Sequence, residues 1–139
     1  MKVGEKIVLA DGQLNEAIAE IVASQKDSLE VKILERQKNQ NEPNKKIVLY
    51  CSVLKRENFE WVVQKAAEVG VLEIRPLVCE RTIKTDFKKE RLQKIIKEAA
   101  EQSGRGRAPV LRETVKFSEA VKDAQNNKAN FFFNLSGAN

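Results

Sequence analysis

Glu98-Ala99-Ala100-Glu101-Gln102-Ser103-Gly104-Arg105 closes a long amphipathic segment and opens the loop Gly104-Arg105-Gly106-Arg107-Ala108-Pro109. Upstream, Leu92, Ile95, Ile96 and Ala99 recur at the i, i+3, i+4, i+7 positions of one buried helical face. That spacing predicts a helix over 88–103. Glu98 and Gln102 fall side by side just off the apolar stripe, and Gly104 stands where a helix ends in a left-handed residue. Arg105 then leaves the helix end beside them. A loop with two arginines can grip phosphates, and polar groups bordering a buried stripe can be oriented by it. The alternative is a solvated helix end with an ordinary glycine cap.

On either side of this segment the pattern changes to strands. Ile47-Val48-Leu49-Tyr50-Cys51 is a continuous apolar run, as a strand covered on both faces would be. A helix follows, with Phe59, Val62, Val63 and Ala66 on one stripe and Gly70 at its end. Leu72, Ile74 and Leu77-Val78-Cys79 make the next strand, interrupted at Pro76. Beyond the glycine loop come a short helix around 118–125 and the strongly strand-like Asn130-Phe131-Phe132-Phe133-Asn134-Leu135. Strands alternating with helices predict an α/β fold with a parallel sheet and right-handed crossovers. Ligands usually meet such sheets in the loops after the strands, and Arg81 lies in one of them, just after Cys79.

The first third reads as a smaller module. Lys6–Ala10 is strand-like and ends at the turn signal Asp11-Gly12. Residues 15–23 look helical by propensity but lie among short strands and tight turns, so they are assigned as a strand. Leu29, Val31 and Ile33 alternate with Glu30 and Lys32, the mark of a half-buried strand. A small β-barrel or meander fits. The polar stretch Gln37–Lys46 is the boundary, giving units 1–44 and 45–139.

The chain has 139 residues, a net charge of +5, two cysteines and no histidine. The absence of histidine excludes His-based triads and most zinc sites. No apolar run approaches the ~20 residues needed to span a membrane, no secretory pattern opens the chain, and no cluster has metal-ligand spacing. Cys51 and Cys79 read as buried thiols of a cytoplasmic protein. Residues 80–112 hold ten basic against five acidic residues, an excess equal to that of the whole chain. Such a patch suits a polyanion, RNA first of all. Ion pairs four apart, Glu90–Lys94 and Lys97–Glu101, explain part of it. They leave Arg81, Lys84, Arg105, Arg107 and Arg112 without local partners. Lys65 and Glu68 form a surface pair three apart, and Trp61 reads as a packing anchor rather than a base-stacking platform.

Three linked motifs carry a resemblance. They are Lys55-Arg56-Glu57 leading into Gln64-Lys65-Ala66-Ala67-Glu68-Val69-Gly70-Val71, then Ile74-Arg75-Pro76-Leu77 with Glu80-Arg81-Thr82, then Glu98 to Arg105 with Pro109. In this order and spacing the chain resembles the RsmE family of 16S ribosomal RNA (uracil-N3)-methyltransferases. The resemblance implies part of a PUA-like RNA-binding β-barrel over 1–44. Over 45–139 it implies the N-terminal half of a SPOUT (α/β knot) parallel-sheet domain that works as a homodimer. It implies methyl transfer from S-adenosylmethionine to a uridine N3 in the small ribosomal subunit, with no metal and no membrane. Arg81 and Arg105 would stabilise the developing anion or grip phosphate, oriented by Glu98 and Gln102. Lys55, Lys65, Lys84 and Arg107 would touch RNA. Replacing Arg105 by alanine should then lower activity with little loss of stability. Relatives also carry residues before Met1 and a Gly-Pro-Glu-Gly-Gly loop after the last strand. The resemblance thus implies a chain missing both ends, with its cofactor pocket lying outside these residues and no activity alone. The rival readings are a non-catalytic RNA-binding module on the same scaffold and a purely structural or dimerisation piece.

Overall fold

The computed structural model describes residues 1–80, 82 and 87–133. Strands β1 (Lys6–Ala10), β2 (Asn15–Ser24) and β3 (Leu29–Lys38) form an antiparallel meander in the order β1-β2-β3. The assignment of 15–23 as a strand therefore holds against its helical propensity. Cross-strand pairing of Ala19 with Ile7 and with Ile33 outweighs the local preference. Ala19 and Ile21 are fully buried on one face. The other inward positions are half-covered, and the three strands form an open sheet.

The second unit runs β4 (Val48–Ser52), α1 (Arg56–Glu68), β5 (Glu73–Val78), α2 (Lys89–Gln102), β6 (Val110–Leu111), β7 (Val115–Lys116) and α3 (Phe117–Ala124). Strand β5 is central and pairs in parallel with β4 on one side and with β6 and then β7 on the other. The parallel α/β expectation is met. Helices α1 and α2 cover one face, where Phe59, Val63, Leu92 and Ile96 close over Ile74 and Leu111. Phe59 and Phe87 meet with their rings tilted by 41° and centroids 5.5 Å apart. On the opposite face Tyr50 donates to Asp123 on α3 at 2.8 Å. Arg75 pairs with the same carboxylate and lies 5.8 Å from the Tyr50 ring centre.

Two strand expectations are corrected. Pro76 does not interrupt β5. Its missing N–H would point toward the β6–β7 side, where pairing passes from Ile74–Leu111 to Leu77–Val115 and leaves Pro76 opposite a gap. The aromatic run at 130–135 is no strand over its described part. Phe131, Phe132 and Phe133 are 87%, 80% and 95% exposed, because aromatic propensity makes no strand without an edge to pair with. Asn134 and Leu135 lie outside the described residues. The two-residue strands β6 and β7 carry no sequence period. Trp61 is 61% exposed, so it anchors no core.

Candidate nucleic-acid interface

The helix of the opening motif forms as its periodicity requires, burying Leu92, Ile96, Ala99 and Ala100. Gly104 ends it at φ +66°, and the Arg105 amide returns to Ala100 O at 2.9 Å. The loop beyond it turns inward. Arg105 is 7% exposed. Its Nε and Nη2 donate to the two carboxylate oxygens of Glu42 at 2.8 and 2.9 Å, and its Nη1 donates to Ala67 O at 2.6 Å. A cation on the last-turn carbonyls of α1 also complements the negative end of that helix. Glu42 Oε1 accepts the Arg107 amide as well, at 3.1 Å.

The expectation that Glu98 and Gln102 orient Arg105 is thereby corrected. Both are exposed on α2, Glu98 lies 3.7 Å from Lys94, and Glu42 takes the orienting place. Glu42 stood in a polar stretch read only as a boundary. The signal available was an arginine without a nearby acid, which demands a distant one. Arg112 repeats the lesson, with a bidentate pair to Glu73 at 2.9 and 3.0 Å. Of the local pairs, Lys97–Glu101 forms at 3.8 Å, whereas Lys94 turns to Glu98 rather than Glu90.

The Arg105 guanidinium holds the Glu42 carboxyl below its ordinary value of 4.5, against the opposing effect of burial. A carboxylate depressed in the fold stabilises it above the unfolded value and loses that contribution as pH falls through the lower folded one. Urea midpoints should therefore drop as pH is taken from 5 down through the acid range. In Glu42→Gln that slope should flatten; an unchanged slope would remove Glu42 from the acid response.

Arg105 stands at the N-terminal ends of the parallel strands, because α1 and α2 both run back against them. Exposed cations gather at the other edge. Helices α1, α2 and α3 begin there, with N-cap residues Lys55, Lys88 and Lys116, none of whose side chains caps its helix; at α3 Glu119 Oε2 accepts the Lys116 amide at 3.2 Å. Ser, Thr, Asp or Asn is the favoured N-cap, worth about 1 kcal/mol over a residue that cannot accept. A lysine cannot accept, and its charge opposes the dipole. Glu57, Glu90 and Glu119 in the first turns offset part of this. Nearby, Arg91 and then Arg56 hold Glu60 down at about 2, with Arg91 Nη2 on Glu60 Oε2 at 2.7 Å. A cleft of about 390 Å³ opens at this edge between Leu54, Phe59, Phe87 and Lys88.

Lys55 thus sits at the cationic edge, exposed. Lys65 lies about 15 Å further along α1 by helical rise, paired with Glu68 at 2.7 Å. Arg107 is half-buried beside the brace, its amide taken by Glu42. Arg81 and Lys84 lie outside the described residues. Lys88 and Lys116 were not singled out in the sequence; a lysine at each helix start, after a strand, was the signal available.

Fold and edge together define an α/β unit on a three-stranded antiparallel sheet, with basic groups collected where the parallel strands end. The family model described as RNA methyltransferase domain matches residues 18–139. The chain belongs to that family. It is 32% identical over 105 residues to ribosomal RNA small subunit methyltransferase E of Mesomycoplasma hyopneumoniae, covering 72% of this chain and 46% of that protein. Against the Bacillus subtilis protein of the same name it is 28% identical over 131 residues, covering 90% and 51%. Among solved structures it resembles ribosomal RNA small subunit methyltransferase E of Neisseria gonorrhoeae bound to S-adenosyl methionine. The TM-score is 0.81 at 31% identity, covering 87% of this chain and 52% of that one. A Legionella pneumophila methyltransferase in complex with the same cofactor gives 0.79 at 34%, covering 90% and 54%. The chain thus spans about half the length of the relatives it matches.

Proposed function

We propose that this chain is the RNA-facing part of an S-adenosylmethionine-dependent enzyme that methylates a uridine at N3 in small-subunit ribosomal RNA. Family membership supports the reaction class. The observation carrying the RNA assignment is the set of lysines heading α1, α2 and α3, the helices among the described residues, at one sheet edge. There, ammonium groups and free helix N–H groups can meet phosphates together. Arg81 and Lys84 belong to the proposed RNA contacts, with Arg81 the candidate for the anion that develops when N3 loses its proton, whereas Arg107 stays with the inward-turned loop, its amide on Glu42. Arg105 acts from behind as a brace. The units 1–44 and 45–139, and a homodimeric whole enzyme, belong to the same proposal.

S-adenosylmethionine would supply the methyl group. The described residues do not fit it. At the 390 Å³ cleft the carboxylate at hand, Glu60, is taken by Arg56 and Arg91. The other charged groups there, Arg56 and Lys88, are cations, which repel a sulfonium. What these residues can do is seat RNA and neutralise its backbone.

The test is binding of small-subunit ribosomal RNA fragments over a range of salt. Lys55→Gln, Lys88→Gln and Lys116→Gln together should weaken binding and flatten the slope of log K against log salt by about 3. An unchanged slope would remove the edge from the interface.

A further inference from the structure

At the lysine-headed edge, helices α1 and α2 are joined by one carboxylate. Glu60 lies half-buried on α1. Its two oxygens take Arg91 of α2 side by side, Oε1 from Nε at 2.5 Å and Oε2 from Nη2 at 2.7 Å. Oε1 also accepts from Arg56 Nε, one turn back on α1, at 3.1 Å. Among the described residues, Arg56 Nη1 and Nη2 and Arg91 Nη1 take no further partner. Both arginine side chains are more than half exposed. Glu57, in the first turn of α1, is an exposed acid that pairs with neither of them.

Three donors occupy the two oxygens, so Glu60 shows an approaching anion two cations and little charge of its own. The exposed Lys55 and Lys88 stand in the same turns of the two helices. A guanidinium pinned at Nε keeps its outer N–H groups in a fixed fork, which matches the oxygens of a phosphate. An unpinned arginine at a helix start would have to give up its side-chain freedom at the moment of binding. From this we infer that Glu60 is a positioning residue of the RNA edge. It presents Arg56 and Arg91 as preset forks to backbone phosphates, and so adds both arginines to the contacts made by the lysines. This rests on the RNA reading above. The rival is a plain tie, in which Glu60 only joins α1 to α2.

Glu60→Gln and Glu57→Gln each remove one negative charge from the start of α1. Charge alone therefore predicts that both tighten binding of a small-subunit ribosomal RNA fragment, by about twofold. Positioning predicts opposite signs. Glu57→Gln should tighten binding, while Glu60→Gln should weaken it about tenfold, since two loosened side chains must then be ordered by the RNA. Arg91→Lys keeps the charge but not the fork and should weaken binding by a similar factor; it carries the comparison should Glu60→Gln fail to fold. The second readout is the Nε–H resonances of Arg56 and Arg91 in isotope-labelled wild-type protein. Both should shift as RNA is added, whereas those of a plain tie would stay. Tightening in a folded Glu60→Gln, unweakened binding by Arg91→Lys, or arginine resonances unmoved by an RNA that binds would each overturn the positioning role. Failure of wild-type protein to bind the RNA, or binding without salt dependence, would overturn the RNA reading instead.

Discussion

Arg105→Ala is expected to lower the free energy of unfolding by about 3–5 kcal/mol, because removing one partner of a buried pair strands the other. The side chain is 3% exposed and Glu42 20%, so little solvent would take over. The loss leaves the Glu42 carboxylate facing an empty guanidinium site and frees Ala67 O at the end of α1. Urea denaturation followed by far-ultraviolet circular dichroism measures it. Adding Glu42→Ala to Arg105→Ala should cost little more, as both act on one interaction. A change below about 1 kcal/mol, the size of a surface pair, would contradict the brace. This reverses the expectation that alanine at this position would spare stability, which follows only for an arginine reaching into solvent.

Gly70→Ala should cost about 2–5 kcal/mol, from two additive sources. Gly70 has φ +95°, a conformation costing an L-residue roughly 1–2 kcal/mol. The new methyl would stand 2.3 Å from Pro43 Cγ and 3.1 Å from Cδ, an overlap of the kind that costs about 1–3 kcal/mol when a tight contact is overfilled. Pro43 belongs to a ring and cannot turn aside. Adding Pro43→Ala should therefore recover the steric part and leave the backbone strain. No recovery would mean that conformation alone makes the glycine necessary. A wild-type midpoint in Gly70→Ala would contradict both the positive φ at Gly70 and the seat of Pro43 on the end of α1.

The opening motif was legible because a helix writes its buried face into local spacing. Leu92, Ile96 and Ala99 reveal α2, and Gly104 reveals its end. Strands β4 and β5 were legible as apolar runs. What escaped depends on partners far along the chain. Arg105 finds Glu42 across 63 residues, and Arg112 finds Glu73 across 39. No period marks either, so the glycine-arginine loop looked like an outward phosphate grip when it is turned inward. Phe131, Phe132 and Phe133 failed in the opposite sense, since strong propensity promised a strand that needs an edge to exist. The lysines at the helix starts were visible but lay at element boundaries, where sequence reading is weakest. Their common edge emerged only from the parallel topology, which sends every helix back against its strand.

Backbone amide shifts on titration with a small-subunit ribosomal RNA fragment test most directly whether RNA meets the helix-start edge rather than the glycine-arginine loop. The largest changes are expected at 53–56, 87–90 and 115–118. Largest changes within 104–107, with the helix starts unmoved, would contradict it.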